Sequence, residues 1–385
     1  MAKVLLGDVV DHVKDKVDKD TTDLEFYVGG EHIDGNEITV RRKGRIEGST
    51  IGPAFHMRFK QGDVLLMSRN PHLRKASMVD FDGICSDVSY VCRTKDNNVL
   101  LQSLLPFILQ TPEFWQFAEE NKKGGLPFFL NWKDFARFEF ELIPIERQRQ
   151  ISDLLWAMER VKNAYRDLIA RTDDLVKSQF IEMFGDPVDN PMGWKKLQLQ
   201  QLVSEDCSIS YGIVKTGEDV EGGVPVFRPV DIVGKVPTRA ELKRTTHEIS
   251  NQYKRSLLTG RDLLVTVRAN IADTFIAGED FKGCNVGRGI VPIRTDESKM
   301  RLEYLKAQMD FDSMNRHMKS LAKGITLIQL NMEDLRNVEF ILPPTEAQDR
   351  FIEFWKQSDK SKFAAQQTLN ELTDAQKALM KRIFE

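Results

Sequence analysis

The sequence repeats itself at a distance of 200 residues, and this repeat restricts the fold more than any other feature of the chain. The match has no gap between residues 130 and 184, and its conserved pairs are Leu130-Asn131 with Leu330-Asn331, Glu139-Phe140 with Glu339-Phe340, Pro144, Glu146 and Gln148 with Pro344, Glu346 and Gln348, and Phe184 with Phe384. Solenoid repeats are about 20–50 residues long, so a period of this length indicates a duplicated domain.

The match continues upstream in a looser form. Arg69 corresponds to Arg268, and Asp63-Val64-Leu65-Leu66 corresponds to Asp262-Leu263-Leu264-Val265. The offset is 199 here, and this small drift indicates loop insertions. The chain is therefore predicted to hold two copies of one unit, each a variable globular part followed by a well-kept helical part.

The helical parts show the clearest local pattern. No Pro or Gly interrupts residues 146–184, and Gly185 with Pro187 then ends the pattern. Apolar residues at spacings of three and four form a heptad stripe, which consists of Ile151, Leu154, Met158, Val161, Tyr165, Leu168 and Leu175.

The second helix has smaller residues at the same places. Met158, Tyr165 and Leu175 become Ser358, Ala365 and Ala375, while apolar positions remain at Phe351, Trp355, Leu372 and Leu379. A bulky stripe and a small-residue stripe can interdigitate, so the two helices are predicted to form a long antiparallel coiled coil. The alternative is that each helix packs on its own globular part.

The globular parts have the pattern of mixed α/β structure. Short apolar runs bounded by Gly, Asn and Asp predict strands, and residues 99–121 and 301–321 predict one helix in each copy. The fold class is therefore α/β (α+β), with two mixed domains separated by the two helices. The predicted boundaries are 1–145 for the first domain, 146–185 for the first helix, 186–194 for a linker, 195–345 for the second domain and 346–385 for the second helix.

The distribution of charge points to nucleic acid although the formal net charge is −3. Residues 41–75 hold nine Lys/Arg against two acids, and residues 228–268 hold nine against four. Phosphate binding depends on the local field, although solvated loops are the ordinary explanation of such segments. The candidate DNA-binding residues are Arg41, Arg42, Lys43, Arg69, His72, Arg74, Lys75, Arg228, Lys243, Arg244, Arg268, Asn270 and Lys323.

Catalytic and metal sites are not predicted. The sequence has no Gly-rich Walker loop and no Asn-Pro-Pro-aromatic motif. Asp262 followed by Asp280-Phe281-Lys282 could be drawn as a nuclease site, but the first copy lacks the lysine, and Asp262 fits a turn before a strand. The four cysteines are scattered, form no CxxC pair and accompany no recognisable export signal, which favours reduced thiols in a cytosol.

Three stretches resemble the specificity subunits of type I restriction-modification enzymes. They are Leu330-Asn331 followed by Phe340-Ile341-Leu342-Pro343-Pro344-Thr345-Glu346-Ala347-Gln348, the end of the first helix at Ser178-Gln179-Phe180-Ile181-Glu182-Met183-Phe184-Gly185-Asp186-Pro187, and Asn190-Pro191-Met192-Gly193-Trp194. The likeness covers the whole chain in order. The family's loop near Gly324 often reads Gly-Ala-Thr-Gln, and this chain departs from that pattern with Gly324-Ile325-Thr326-Leu327-Ile328-Gln329.

The resemblance implies a non-catalytic, cytoplasmic DNA-binding subunit with two target recognition domains, each of which reads one half of a split DNA sequence. It implies that the helices dock two methyltransferase subunits, which bind S-adenosylmethionine and methylate adenine, and that translocase-nuclease subunits using ATP and Mg²⁺ join for cleavage. No cofactor is expected on this chain itself. A structural coiled-coil scaffold and a metal-dependent nuclease are the alternative functions.

Overall fold

A computed structural model describes residues 2–232, 237–324 and 328–384. The chain forms two compact units: unit 1 holds Met1–Asp167 together with Ala365–Glu385, and unit 2 holds Leu168–Ala364. Each unit therefore contains one globular part and one half of each long helix. Within the described residues, no helix has both the length and the hydropathy of a membrane-spanning segment.

Unit 1 begins with a set of short strands and ends in a long helix. Its strands are β1 (Ala2–Leu5), β2 (Val10–His12), β3 (Phe26–Val28), β4 (Gly44–Arg45), β5 (Phe55–Phe59), β6 (Val64–Met67), β7 (Ala76–Met78), β8 (Gly83–Ser86), β9 (Ser89–Thr94) and β10 (Glu139–Leu142). Its helices are α1 (Leu6–Val9), α2 (Leu105–Ile108), α3 (Pro112–Glu120), α4 (Trp132–Phe135) and the first part of α5 (Ile145–Phe184). The sheet orders are β2-β9-β6-β7, β4-β3-β8-β5 and β1-β10.

Unit 2 repeats this plan with shorter sheets. Its strands are β11 (Lys196–Gln198), β12 (Val224–Phe227), β13 (Lys243–Thr245), β14 (Asp262–Thr266), β15 (Thr274–Ala277), β16 (Asn285–Val286), β17 (Ile290–Ile293) and β18 (Glu339–Ile341). Its helices are α6 (Leu199–Leu202), α7 (Pro229–Ile232), α8 (His247–Gln252), α9 (Leu302–Asp310), α10 (Asp312–Ser320), α11 (Met332–Asn337) and the first part of α12 (Thr345–Phe384). The sheet orders are β15-β14-β17, β13-β12-β16 and β11-β18.

A central strand in each unit divides two hydrophobic cores. Val64 and Leu66 on β6 face the core built with α2 and α3, whereas Leu65 and Met67 face the core built with β5 and β8. Side chains of a strand alternate between its faces, so a strand buried on both sides is apolar throughout. In unit 2, β14 divides its cores in the same way.

A buried glutamine joins each long helix to its own globular part. The Gln148 amide accepts a hydrogen bond from the Leu101 N–H and donates to the Val99 and Ile143 carbonyls at 2.8–2.9 Å. Gln348 makes the same three bonds, accepting from the Arg301 N–H and donating to the Lys299 and Pro343 carbonyls at 2.9 Å each. This identical arrangement explains why glutamine recurs at the start of both helices.

The predicted mixed α/β architecture and the packing of α5 with α12 are confirmed. In unit 1, Lys162 on α5 donates to the Gln376 amide oxygen on α12 at 2.7 Å. In unit 2, Asp173 pairs with Lys362 at 2.6 Å, and Phe180 contacts Phe351 with ring centroids 5.3 Å apart. Because the α12 partner number falls as the α5 number rises, the two helices run antiparallel.

The predicted heptad stripe on α5 is fully buried only at Ile151. Leu154, Val161, Leu168 and Leu175 are 44–54% exposed, while Met158 and Tyr165 are half-buried. The contact with α12 is made on the neighbouring face, where Lys162 and Phe180 lie. On α12 the predicted Phe351, Ser358 and Ala365 are buried and Trp355, Leu372 and Leu379 are half-buried, whereas Ala375 is exposed.

Each predicted single helix in the globular parts is in fact broken. In unit 1 the segment 99–121 divides into a 3-10 turn at Gln102–Leu104, α2 and α3, because Thr111 caps a new helix that begins at Pro112. In unit 2 the segment 301–321 divides at Phe311, whose extended backbone separates α9 from α10.

Candidate nucleic-acid interface

In unit 1, the loop that follows β6 presents the first candidate arginine. Arg69 forms an isolated β-bridge with Phe129, the Asn70 N–H donates to the Phe128 carbonyl, and the Leu130 N–H donates to the Ser68 carbonyl, the last two at 2.8 Å. These backbone contacts hold residues 68–70 against residues 128–130. Arg69 itself is exposed, and its guanidinium has no ion pair or hydrogen bond within the described part of the chain.

Unit 2 has the same kind of backbone contacts around the second arginine, and we call these contacts the arginine frame of each unit. Arg268 forms the equivalent bridge with Gln329, and the Leu330 N–H donates to the Val267 carbonyl at 3.0 Å. Arg268 is half-buried, and its Nε has no hydrogen-bond partner among the residues that the structure describes. The structure thus places Arg69 and Arg268 at one equivalent position, as the repeat predicts.

Both arginines are followed by a residue in the left-handed region. The φ angles are +53° at Asn70 and +61° at Ala269, two positions that match in the repeat. Such φ values are uncommon for residues other than glycine and persist where the surrounding structure determines them. We call residues 68–75 with 122–130 recognition loop 1, and residues 267–273 with 323–324 and 328–330 recognition loop 2. Residues 325–327, part of the loop that departs from the family pattern, lie outside the described residues.

Three further candidates lie exposed on these loops. His72 and Arg74 belong to recognition loop 1, where Arg74 also has a positive φ of +52°. Asn270 belongs to recognition loop 2, and its carbonyl accepts a hydrogen bond from the Thr266 hydroxyl. Together with the two arginines, they are the candidates whose polar groups can face a ligand.

In unit 1, four other candidate cations already have partners. Arg41 pairs with Asp167 on α5, Arg42 pairs with Asp34, and the Lys75 ammonium donates to the Gly30 carbonyl. The Lys43 ammonium lies 3.6 Å from the centroid of the Phe26 ring, a cation–π contact. These contacts give all four side chains a role in holding the unit together.

Four candidates in unit 2 are engaged in the same way. Arg228 forms two hydrogen bonds to Asp231, which raises the pKa of its guanidinium. The Lys243 ammonium donates to the Gly217 carbonyl at 2.6 Å, and Arg244 donates to the Gly223 carbonyl at 3.2 Å. Lys323 pairs with Asp334 at 3.1 Å, as Lys123 does with Asp134 at 2.8 Å in unit 1.

The acids considered for a nuclease have structural partners. Asp262 accepts hydrogen bonds from the Thr259 N–H and from Arg294, and Asp63 accepts the equivalent bonds from the Lys60 N–H and Arg93. Lys282 pairs with Glu279 at 2.9 Å. No cluster of three potential metal ligands occurs among the residues described. Neither the nuclease nor the scaffold alternative is supported.

One residue near recognition loop 1 is not among the candidates that the sequence predicts. His12 ends β2, and its ring packs 4.9 Å from the Tyr90 ring and 5.1 Å from the Trp132 ring between centroids. Burial, together with the charge of Lys14, lowers the pKa of His12 to about 4, so the ring is neutral at neutral pH. Tyr90 in turn donates to the Leu130 carbonyl, next to the arginine frame of unit 1. The aromatic partners of His12 lie far away in the sequence, so the sequence alone gives no signal that this residue belongs near the site.

The exposed stripe on α5 is a second surface without an explanation inside the described chain. Leu154, Val161, Leu168 and Leu175 follow one another at intervals of seven residues and are each about half exposed. Their counterparts on α12 are Phe354, Ser361, Thr368 and Ala375. The first long helix therefore exposes an apolar line that the second helix lacks.

Comparisons with known proteins find similarity to type I restriction-modification specificity subunits. Residues 193–374 match the model of the type I restriction modification DNA specificity domain. The chain is 26% identical over 162 residues to the Escherichia coli type I restriction enzyme EcoBI specificity subunit, a match that covers 42% of this chain and only 34% of that relative.

Solved structures with the same fold cover nearly all of the chain. The type I restriction-modification S subunit from M. genitalium is 13% identical with a TM-score of 0.59, covering 100% of this chain and 96% of its own. A chain from a study of complex assembly and conformational transition of the type I system is 23% identical with a TM-score of 0.52, covering 99% and 96%. These findings show that the chain has the fold of type I restriction-modification S subunits and that its residues 193–374 carry the type I restriction modification DNA specificity domain.

Proposed function

We propose that this chain is the non-catalytic subunit that gives a type I restriction-modification complex its DNA sequence specificity, and that each unit reads one half of a bipartite target. The observation that carries this proposal is the equivalent frame in the two recognition loops, each of which presents an arginine after a central strand. Arginine can donate two hydrogen bonds to the O6 and N7 atoms of guanine in the major groove. Two such loops on diverged units suit two different half-sites.

The recognition loops can be tested one at a time. Arg69→Ala is expected to relax one position in one half-site, Arg268→Ala one position in the other, each with a loss of about 1–3 kcal/mol in binding. The measurement is the set of adenines methylated genome-wide when each variant is co-expressed with its methyltransferase. Lys282→Ala is the control, because it removes an exposed cation whose one ion pair among the described residues is with Glu279.

Unchanged half-sites in both arginine variants would remove these residues from base recognition. Phosphate contacts behave differently from base contacts, since their loss weakens binding to all sequences alike. A uniform loss of methylation without a change of motif would therefore reassign Arg69 or Arg268 to the backbone.

The exposed stripe on α5 is proposed to dock the methyltransferase subunits, two of which are expected for each copy of this chain. An exposed apolar line of this length suits a protein partner. The partners are proposed to supply S-adenosylmethionine binding and adenine methylation, and translocase-nuclease subunits to supply the ATP- and Mg²⁺-dependent steps of restriction. The chain's own residues then bind DNA and the partner subunits and take part in no chemical step.

Docking is tested by a matched pair of variants at repeat-equivalent exposed positions. Leu175→Glu puts a charge into the stripe, and Ala375→Glu puts the same charge at the corresponding place on α12. Co-purification with the methyltransferase should give a two-to-one complex for the wild type and for Ala375→Glu, and a reduced yield for Leu175→Glu. Equal yields for all three proteins would exclude the stripe as the docking surface.

A further inference from the structure

The two units contain cavities at equivalent places in the repeat. The unit 1 cavity, of about 270 Å³, is lined by residues that include Arg74, Gln110, Lys162, Lys377, Met380 and Lys381. The unit 2 cavity, of about 250 Å³, is lined by residues that include Asp173, Lys177, Phe180, Asp310, Asp359 and Lys362. Lys162, Lys377, Met380 and Gln110 each lie 200 residues from Lys362, Lys177, Phe180 and Asp310, respectively.

The charges of these two cavities are different. Among the described residues that line the unit 1 cavity there are four cations and no acid. The unit 2 cavity has three acids, Asp173, Asp310 and Asp359, against two lysines. Its lysines are also neutralised, because Lys362 pairs with Asp173 at 2.6 Å and Lys177 pairs with Asp312 at 3.0 Å.

Two of the unit 1 cations remain available to a ligand. Lys162 is already paired with Glu159 at 2.9 Å behind the cavity. Arg74 and Lys377 are exposed, and neither side chain has an ion pair or hydrogen bond within the part of the chain that the structure describes. Lysine near the end of a helix can be explained by the helix dipole, but this explanation does not extend to Arg74, which lies on recognition loop 1.

We propose that the unit 1 cavity binds a phosphate group between Arg74 and Lys377, and that this phosphate belongs to the backbone of the DNA held by recognition loop 1. The identity of the DNA as the source rests on the proposed function, since Arg74 lies five residues from Arg69 on the same loop. Ile38 and Met380 give the cavity an apolar lining on which a deoxyribose can pack. The end of α12 thereby becomes part of the DNA contact of unit 1, and unit 2 has no equivalent contact.

The test compares Lys377→Ala and Arg74→Ala with Lys177→Ala, the repeat-equivalent lysine of unit 2. Binding of the assembled complex to the duplex carrying its mapped target is measured between 50 and 200 mM salt. One lost phosphate contact lowers the steepness of log K against log salt by about 0.9. Between 50 and 200 mM salt, the loss of affinity of Lys377→Ala should therefore be about 3.5-fold smaller than that of the wild type. Arg74→Ala should behave alike, and Lys177→Ala should match the wild type.

A second arm separates DNA from free phosphate and is independent of DNA binding. The melting temperature of the isolated chain is measured with and without inorganic phosphate, for the wild type and for Lys377→Ala. Stabilisation of the wild type alone, with unchanged salt slopes, would keep the phosphate site but reject DNA as its source. No change in either arm would overturn the site. A wild-type complex that does not bind DNA would instead contradict the proposed function, while the second arm still tests the cavity.

Discussion

Lys162 and Lys362 occupy the same place in the two copies, but their surroundings differ. The side chain of Lys162 is 4% exposed and lies against Glu159 and Gln376, whereas that of Lys362 is 37% exposed and reaches out to Asp173. The residues 200 positions from Gln376 and Asp173 are Val176 and Thr373. In unit 1 the lysine therefore has a buried polar partner between the two helices, whereas in unit 2 it pairs with an acid that is exposed to solvent.

The rest of the helix pair follows the same division. We call the contact between α5 and α12 within one unit the seam of that unit. In unit 1, Glu159 also accepts a hydrogen bond from Arg166 at 3.3 Å, and Arg166 pairs with Glu37 at 2.8 Å, so the seam of unit 1 includes a charged network. Burial raises the pKa of Glu37 despite the charge of Arg166. In unit 2, the position of Gln376 is taken by the apolar Val176. Phe180, Tyr304 and Phe351 form an aromatic cluster further along the helices, where unit 1 has the apolar residues Met380, Leu104 and Ile151. The same helix pairing therefore tolerates two kinds of interior, provided that each buried charge has a partner.

The largest expected difference between the units comes from removing the buried carboxylate. Glu159→Ala leaves Lys162 buried without a counter-charge, and breaking a buried ion pair in this way costs about 3–5 kcal/mol. Asp359→Ala, at the repeat-equivalent exposed position, should leave stability unchanged. Urea unfolding of both variants measures this. Equal losses would show that the two seams are not different in their energetics.

The glutamine that anchors each helix should affect both units equally. Gln148→Leu and Gln348→Leu each leave three backbone groups without a partner, at about 1–3 kcal/mol for each group that stays unsatisfied. At the lower figure of about 1 kcal/mol for each of the three groups, a loss of about 3 kcal/mol is expected in either variant. The backbone N–H groups of Leu101 and Arg301 donate to the two glutamines, so hydrogen exchange at these two amides reports the two sites separately. Gln366→Leu, on the exposed face of α12, is the control.

The smallest expected effect has the opposite sign. The Tyr304 hydroxyl is buried without a hydrogen-bond partner among the described residues, and burial raises its pKa. Tyr304→Phe removes this unsatisfied group, so a gain of about 1 kcal/mol is expected. The repeat-equivalent residue is the apolar Leu104. Tyr90→Phe is the matched control and should be destabilising, because the Tyr90 hydroxyl donates to the Leu130 carbonyl at 2.7 Å. Melting temperatures compare the two, and a loss in Tyr304→Phe would contradict the interpretation.

Much of the architecture could be predicted from the repeat and the periodicity. The two units, the two long helices and their antiparallel pairing follow from features that depend on sequence spacing alone. The face of α5 that makes the contact could not be predicted in this way. Its stripe is interrupted by Glu159, Lys162 and Arg166, whereas the exposed stripe of Leu154, Val161, Leu168 and Leu175 is continuous. Apolar periodicity does not distinguish a helix partner from a partner on another chain.

The candidate site was predicted less well, for a different reason. The matched Arg69 and Arg268 were found because the repeat aligns them. Most other candidate cations are held by groups far away in the sequence, as Arg41 is by Asp167 and Lys75 by the Gly30 carbonyl. A cluster of positive residues gives no information about such partners. The role proposed for Lys377 could not be predicted from the sequence, because Arg74, which lines the same cavity, is 303 residues away in the chain.

The division of the chain into units has a consequence for its synthesis. Unit 2 is one continuous segment, but unit 1 needs residues after 364, which are made only when all of unit 2 has left the ribosome's active site. At about 5–20 residues per second, the helix segment that carries Glu159 and Lys162 waits about 10–40 s for its partner. Charged side chains stay hydrated during this delay, whereas Phe180, Tyr304 and Phe351 can close as soon as residue 364 emerges. We expect hydrogen exchange on chains released after residue 364 to show protected amides around Phe180 and unprotected ones around Lys162. The polar seam then belongs to the half of the molecule that must remain open longest without aggregating.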